Sequence, residues 1–286
     1  MTGTYRYDIV AERCRDSSFH SSQFLLPSAD SHSVFAPLHA DVGPVPPSNR
    51  DFLINGWRWH SRSVLRDVRR FQEVATRERQ EVLRGVEGSS RLPACYDFFW
   101  SFSWVALLKI ENQIFYPFLR KTLPSDLRPL LQDLERQGEE VTTLGLRLGQ
   151  VVGRFRDPSS PPSAPPSPPS SSSLPSSSRL ARLDEALSLA GKMEVKVKGM
   201  IDTQDSMLVP VVAAYLSQKE QKKFNNKVIS SLGIFKSRVH LVSMAEAVRG
   251  DATEETKFKN QIPGIAQAFL PRWREKLYRP LAVCLE

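Results

Sequence analysis

Four residues whose side chains could bind a metal are spread along the chain: His60, Glu111, Glu140 and Asp205. Imidazole nitrogens and carboxylate oxygens are common ligands of iron and other divalent metals, and helical bundles hold such ligands at inward-facing positions. One histidine with three carboxylates would form a carboxylate-rich site if the four side chains met at one point. The possible chemistry therefore depends on the elements that carry them.

An internal repeat relates these positions to one another. Glu111 and Asp205 each precede a short apolar run and a proline, near the end of a long predicted helix. The helices that come before them also match, at a constant offset of 80 residues that aligns His60 with Glu140. Two helix pairs related in this way predict a pseudo-twofold bundle in which each helix directs one polar residue towards the same interior layer.

The repeat, together with Trp59-His60 and the apolar stripe that follows it, resembles the hemerythrin-like family. The resemblance covers about residues 52–216, and the Leu-Ser-Gln-Lys-Glu-Gln segment at 216–221 is similar to an ending common in that family. It implies an antiparallel four-helix up-down bundle made of two helix pairs. It also implies that each pair supplies a histidine from its first helix and an H-x-x-x-E motif from its second, which together bind two irons that carry oxygen or act in sensing.

Several histidines of the family pattern are replaced in this chain. Leu107 and Ile201 stand four residues before the two repeat carboxylates, where the family has histidine, and Glu140 takes the histidine place of the third helix. When the second helix is shifted by one residue to align the prolines, the two ligand positions hold Leu108 and Asn112 instead. One of the expected nitrogen ligands therefore remains.

Two functions follow from these departures. The sequence favours a hemerythrin-like protein with a degenerate metal site, without a cofactor, that is a non-catalytic binding or structural module. The alternative is a non-haem di-iron or divalent-metal protein for oxygen binding or sensing, with weak oxidase activity only when metal is bound. Without metal, His60 and Glu111 are expected to pair in the core, because buried polar groups need partners, while Glu140 and Asp205 reach solvent.

Apolar periodicity predicts an all-α protein with three regions. Residues 1–50 form an irregular N-terminal arm, and residues 217–286 a C-terminal segment of short helices packed on the bundle. Between them, residues 51–216 form the bundle, with Pro117 expected to kink or end the second of its helices. Residues 158–178 contain 8 Pro and 11 Ser, which predicts a disordered linker between helices three and four. The four helices are predicted at about 52–86, 92–122, 125–155 and 179–216.

Charge is concentrated towards the end of the chain. The whole sequence has 39 Lys and Arg against 31 Asp and Glu, for a net charge of +8, and residues 215–286 hold 13 of the former and 7 of the latter. This basic C-terminal segment is a candidate surface for a protein partner, and it is less suited to nucleic acid or anionic lipid because its charges are scattered.

Other sequence signals point away from membranes and catalysis. No apolar run is long enough to span a bilayer, and the first residues carry charges without an apolar central region. The three cysteines are widely spaced, which predicts unpaired thiols in an intracellular, cytoplasmic protein. A glycine-rich phosphate loop, an H-E-x-x-H motif and a C-x-x-C motif are all lacking, so we predict that the protein is not an enzyme.

Overall fold

A computed structural model describes residues 52–86, 88–156 and 176–285. Within these ranges the chain is helical and contains no β-strand, which confirms the prediction of an all-α protein for the described part. The predicted N-terminal arm at 1–50 lies outside the described residues. So does the predicted linker, except for its last three residues, which begin the fourth helix at Ser176.

The first helix, α1, runs Asn55–Leu83 and buries a stripe of apolar residues at helical spacing. Its end is a Schellman motif: Gly85 donates its backbone N–H to the Val82 carbonyl and Val86 donates to the Glu81 carbonyl. Gly85 has a φ of 73°, a left-handed conformation that glycine adopts without steric cost. The stripe includes Trp57, Val64, Val68, Phe71, Val74 and Ala75.

The second helix, α2, covers residues 92–122 and does not end at Pro117. Two π-helical segments, Phe98–Trp104 and Glu111–Phe115, interrupt its α-helical parts Leu92–Asp97, Val105–Ile110 and Tyr116–Thr122. A proline ring collides with the carbonyl four residues earlier, and a wider π turn just before it relieves that collision. Pro117 therefore does not end the helix, which was one of the two predicted outcomes, because the π turn lets the helix continue.

The third helix, α3, runs Arg128–Gly153 after the 3-10 turn Ser125–Leu127. Its glycines permit close contact with α2: a Cβ on Gly145 would overlap the Trp100 ring, and one on Gly149 would overlap the Tyr96 hydroxyl. The fourth helix, α4, covers 176–215 as Ser176–Thr203, the π-helical Gln204–Leu208 and Val209–Tyr215. Pro210 follows this π segment as Pro117 follows that of α2.

Polar contacts between the four long helices show which neighbours run antiparallel. Along α1 and α4, successive ion pairs join increasing numbers on one helix to decreasing numbers on the other: Arg58 to Asp205, Arg69 to Glu194 and Arg79 to Asp184. The same order holds between α1 and α2, where Trp57 bonds Glu111, Ser103 bonds Asp67 and Ser90 bonds Glu78. It holds again between α3 and α4, where Glu140 pairs with Lys196 and Arg154 with Glu185.

Three further helices follow the first four. The C-terminal segment, predicted to consist of short helices, begins instead with one long helix, α5, Gln218–Ala247, which starts with a capping box between Ser217 and Glu220 and packs on α1. Helix α6, Ala252–Gln261, is capped by Asp251. Helix α7 comprises Gly264–Trp273, the π-helical Arg274–Tyr278 and Arg279–Ala282, and a 3-10 turn, Val283–Leu285, completes the described chain. None of the helices in the described residues is long and apolar enough to cross a membrane.

Candidate functional site

In the described residues a π segment precedes a proline in α2, α4 and α7, and the first two of these π–proline segments show which residues of the repeat occupy equivalent places. Glu111 starts the π segment of α2 six residues before Pro117, and Gln204 starts that of α4 six residues before Pro210. Both side chains are buried, each about 1% exposed. The structural counterpart of Glu111 is therefore Gln204, and not its neighbour Asp205.

Glu111 and Gln204 meet inside the protein. The Glu111 Oε1 atom accepts a hydrogen bond from Trp57 Nε1 at 2.9 Å and another from Gln204 Nε2 at 3.3 Å. Burial raises the pKa of Glu111 to about 7, although the two hydrogen bonds favour the ionised form. This polar triad, Trp57–Glu111–Gln204, joins α1, α2 and α4 at one level of the interior.

Hydrocarbon surrounds the polar triad. Leu107 and Met200, four residues before Glu111 and Gln204, are fully buried. The Trp57 ring also lies against Phe115, with the ring centroids 4.5 Å apart. The Glu111 carboxyl thus lies beside apolar side chains and already accepts two hydrogen bonds, and the charge of Glu135 acts to raise the pKa of Glu111 further.

Asp205 faces away from the triad and towards two arginines of α1. Its carboxylate lies 2.6 Å from Arg58 Nε and 3.5 Å from Arg62 Nη2. Partial burial acts to raise the pKa of Asp205, but the hydrogen bond and charge of Arg58, aided by Arg62, outweigh it and the pKa is lowered. Asp205 therefore serves an ion pair between α1 and α4.

Glu140 also lies in an ion pair, between α3 and α4. Its carboxylate accepts hydrogen bonds from Arg136 on its own helix and from Lys196 Nζ, at 2.6 Å, on α4. The side chain is about 31% exposed. The interior position next to it is filled by Val141, which is fully buried.

His60 is buried on another side of α1, against the C-terminal segment. Its ring centroid lies 4.9 Å from that of His240 on α5, and Phe102 stacks on His240 at 4.3 Å. Among the described residues, the Nε2 atom of His60 has no hydrogen-bond partner. Burial lowers the pKa of His60 to about 4, while a hydrogen bond to the Ser103 backbone acts to raise it. The expected hydrogen bond between His60 and Glu111 does not form, because Glu111 is held by Trp57 and Gln204.

The structure thus distributes the four predicted metal ligands over separate environments. Glu111 belongs to the polar triad, His60 packs against His240, and Glu140 and Asp205 neutralise cations at helix–helix contacts. In the part of the chain that the structure describes, no three His, Cys, Asp or Glu side chains are grouped so that they could hold a metal ion.

A second buried polar cluster was missed by the sequence analysis. Arg66 donates to Asp67 at 2.6 Å, to the Ser243 carbonyl at 2.9 Å and to the Tyr278 hydroxyl at 2.7 Å. Ser103 donates to the other oxygen of Asp67 at 2.6 Å. This arginine–aspartate cluster joins α1 and α2 to α5 and α7. Its signal in the sequence is a carboxylate, Asp67, on the apolar stripe of α1 seven residues after His60.

Helix α6 has its own attachment to α1. Trp59 Nε1 donates to Glu254 Oε2 at 2.8 Å, and the Trp59 ring meets Phe258 edge-on at 5.0 Å. Trp59 and Phe258 belong to a small apolar cluster separate from the main core.

Comparisons of the chain with profiles of known families, with curated proteins and with solved structures found no match.

Proposed function

We propose that residues 52–216 are a hemerythrin-like up-down four-helix bundle with a degenerate metal site, and that the protein is a non-catalytic structural and binding module. The antiparallel contacts of the long helices support the family, and so do the equivalent buried positions of Glu111 in α2 and Gln204 in α4. The observation that carries the function is the polar triad, in which Glu111 is occupied by Trp57 and Gln204.

The side chains in this interior do not fit a di-iron centre. Such a centre needs several histidines and bridging carboxylates that converge on two metals. Here one of the two equivalent positions is the amide Gln204, and the preceding positions hold buried Leu107 and Met200. Asp205 and Glu140, the other candidate carboxylates, are each engaged by cationic side chains. No reaction step is therefore assigned to iron.

The structural role concerns the C-terminal helices. Helix α1 contacts α2 and α4, and it also binds α5, α6 and α7. Trp59 holds Glu254 of α6, and Arg66 holds Ser243 of α5 and Tyr278 of α7. The bundle thus presents the C-terminal segment in a fixed position, where a partner protein in the cytoplasm would meet it.

The binding role is assigned to the basic part of α5, where charge complementarity favours an acidic protein surface. Four lysines lie exposed along the first half of the helix: Lys219, Lys222, Lys223 and Lys227. We expect the full chain to bind a fluorescent poly-glutamate peptide with an affinity that falls with salt. The double variant K222E/K223E should lose that binding, and equal binding by the variant would overturn this assignment.

Metal titration tests the absence of an iron site. Wild type and Glu111→Gln are purified under reducing, iron-supplemented conditions and their iron content and Tm are measured with added iron(II) or zinc. We expect neither protein to retain iron and neither Tm to depend on metal, because a bound metal would stabilise the folded state. Two irons per chain with an oxo-type absorption band, or a metal-dependent Tm that Glu111→Gln abolishes, would establish the metalloprotein instead.

A further inference from the structure

The two described cysteines lie in contact although they are 189 residues apart in sequence. Cys95 is on the first turn of α2, and Cys284 is in the 3-10 turn at the end of the described chain. The Cys95 Sγ atom lies 2.7 Å from the Cys284 carbonyl oxygen. The turns that carry the two cysteines, Leu92–Asp97 and Val283–Leu285, approach within 8 Å between Cα atoms. Both are reduced in this structure.

The segment around Cys284 is fixed against the bundle. Ala282 and Leu285, on either side of it, are about 2% and 3% exposed and belong to the main apolar core. Cys95 is fully buried beneath it, whereas Cys284 is half-buried and reachable from solvent. The approach of the two cysteines is therefore set by packed elements on both sides.

The two thiols differ in chemical character. The neighbouring Cys95 side chain lowers the pKa of Cys284, against the opposing effect of partial burial. The neighbouring Cys284 side chain and burial both raise the pKa of Cys95. Because Cys284 is reachable from solvent and Cys95 is fully buried, Cys284 is the thiol that meets an oxidant first and Cys95 is placed to react second.

We propose that Cys95 and Cys284 are an oxidisable pair, which a hydroperoxide converts to an intramolecular disulfide that ties the end of α7 to the start of α2. The Cys284 thiolate attacks one oxygen of hydrogen peroxide, the O–O bond breaks and a sulfenic acid forms, while the released hydroxide takes up the proton that the Cys284 thiol had lost and leaves as the first water. The Cys95 sulfur then attacks the Cys284 sulfur and displaces hydroxide, which takes the Cys95 proton and leaves as the second water. Two thiols are oxidised to one disulfide, and one hydrogen peroxide is reduced to two waters.

This pairing adds a modification site to the proposed structural role and is independent of it. A reducing compartment keeps the pair as thiols, so the disulfide forms on exposure to peroxide and is reversed by a thiol reductant. Because the disulfide would close a very long loop, it restricts the unfolded chain strongly. The expected consequence is a C-terminal segment that stays attached to the bundle under conditions that otherwise release it.

The test uses the full chain, treated with hydrogen peroxide or with a reductant, then alkylated and mapped by peptide mass spectrometry. We expect a Cys95–Cys284 linked peptide in the oxidised sample, lost on reduction, and a higher Tm for the oxidised protein. Cys14→Ser is the matched control, since it removes the third cysteine and should leave the linked peptide unchanged.

A second variant separates the two steps. In Cys95→Ala the Cys284 sulfenic acid has no resolving thiol, so dimedone should label Cys284 strongly, while wild type should show little label. Linkage of Cys14 to either cysteine in place of the predicted pair would overturn the proposal. Equal dimedone labelling of wild type and Cys95→Ala would overturn it as well.

Discussion

Trp57 and Glu111 form a buried hydrogen bond, 2.9 Å from Nε1 to Oε1, between the first two long helices. Gln204 completes the contact from α4, so one carboxylate oxygen serves donors on two helices. Because the indole and the amide are neutral, neither compensates the charge of Glu111, and burial raises the pKa of Glu111 to about 7. The polar triad therefore couples protonation to stability.

Glu111→Gln should remove a dependence of stability on pH. The folded-state pKa of Glu111 is raised from 4.5 to about 7, so the stabilisation linked to its proton is present below pH 4.5 and lost as the pH rises through 7. Relative to the variant, wild type should lose about 3 kcal/mol of unfolding free energy across that window. Urea unfolding at several pH values measures it. Glu139→Gln, an exposed neighbour of Glu140, is the control and should leave the wild-type profile unchanged.

His60→Phe should reveal a linkage of the opposite sign. The folded-state pKa of His60 is lowered from 6.5 to about 4, so its contribution is present above pH 6.5 and lost as the pH falls through 4. Relative to this variant, wild type should gain about 3 kcal/mol between those values. The two linkages oppose each other in wild type, and the double variant with Glu111→Gln should lose both. Identical pH profiles for wild type and His60→Phe would contradict the assignment.

Trp59→Phe should loosen α6 while leaving the four long helices intact. The change keeps the ring against Phe258 but leaves Glu254 without its indole donor. Loss of a partner by a buried acceptor costs about 1–3 kcal/mol, here moderated by Arg62 and Lys257 near the same carboxylate. Amide hydrogen exchange should accelerate in Ala252–Gln261. Faster exchange spread evenly over α1 to α4 would show that the contact does not act locally.

Gly145→Ala should destabilise the contact between α2 and α3. The added methyl group would overlap the Trp100 ring, which is stacked on Tyr96, and overpacking of this kind costs about 1–3 kcal/mol. Gly153→Ala is the matched control at the end of the same helix, where nothing lies within 4 Å of a new Cβ. That control should stabilise slightly, because alanine favours helix over glycine. Equal midpoints of the two variants in urea would refute the close approach.

The sequence predicted elements better than it predicted partners. Apolar periodicity located the four long helices, because each buries one continuous face. The comparison of the two repeats assigned Asp205 as the counterpart of Glu111, because both residues are carboxylates. The spacing of six residues to Pro210 shows that the counterpart is Gln204. The contact of His60 with His240 could not be predicted from the sequence, because helix periodicity identifies the buried face of a helix but not the distant helix that covers it.

Two carboxylates are each paired with arginine but are buried to different extents. Their ion pairs are therefore expected to differ in how much they contribute to the free energy of unfolding. Asp67 is fully buried and bonded to Arg66 and Ser103, while Asp205 is about 30% exposed and bonded to Arg58. Asp67→Asn leaves the mostly buried Arg66 guanidinium without its nearest counter-charge, with only the charge of Glu246 remaining, and breaking a buried pair costs about 3–5 kcal/mol, so a loss near the lower end is expected. Asp205→Asn changes a solvent-screened pair, for which about 1 kcal/mol or less is expected.

Urea unfolding of the two asparagine variants and wild type, at one pH and salt concentration, makes the comparison. Because Arg66 also holds Ser243 and Tyr278, Asp67→Asn should in addition speed amide exchange in α5 and α7, which Asp205→Asn should not. A similar loss of stability in both variants would mean that burial does not decide the strength of these pairs. Loss of stability in Asp67→Asn without faster exchange in α5 and α7 would mean that the arginine–aspartate cluster does not hold α5 and α7 on α1 and α2.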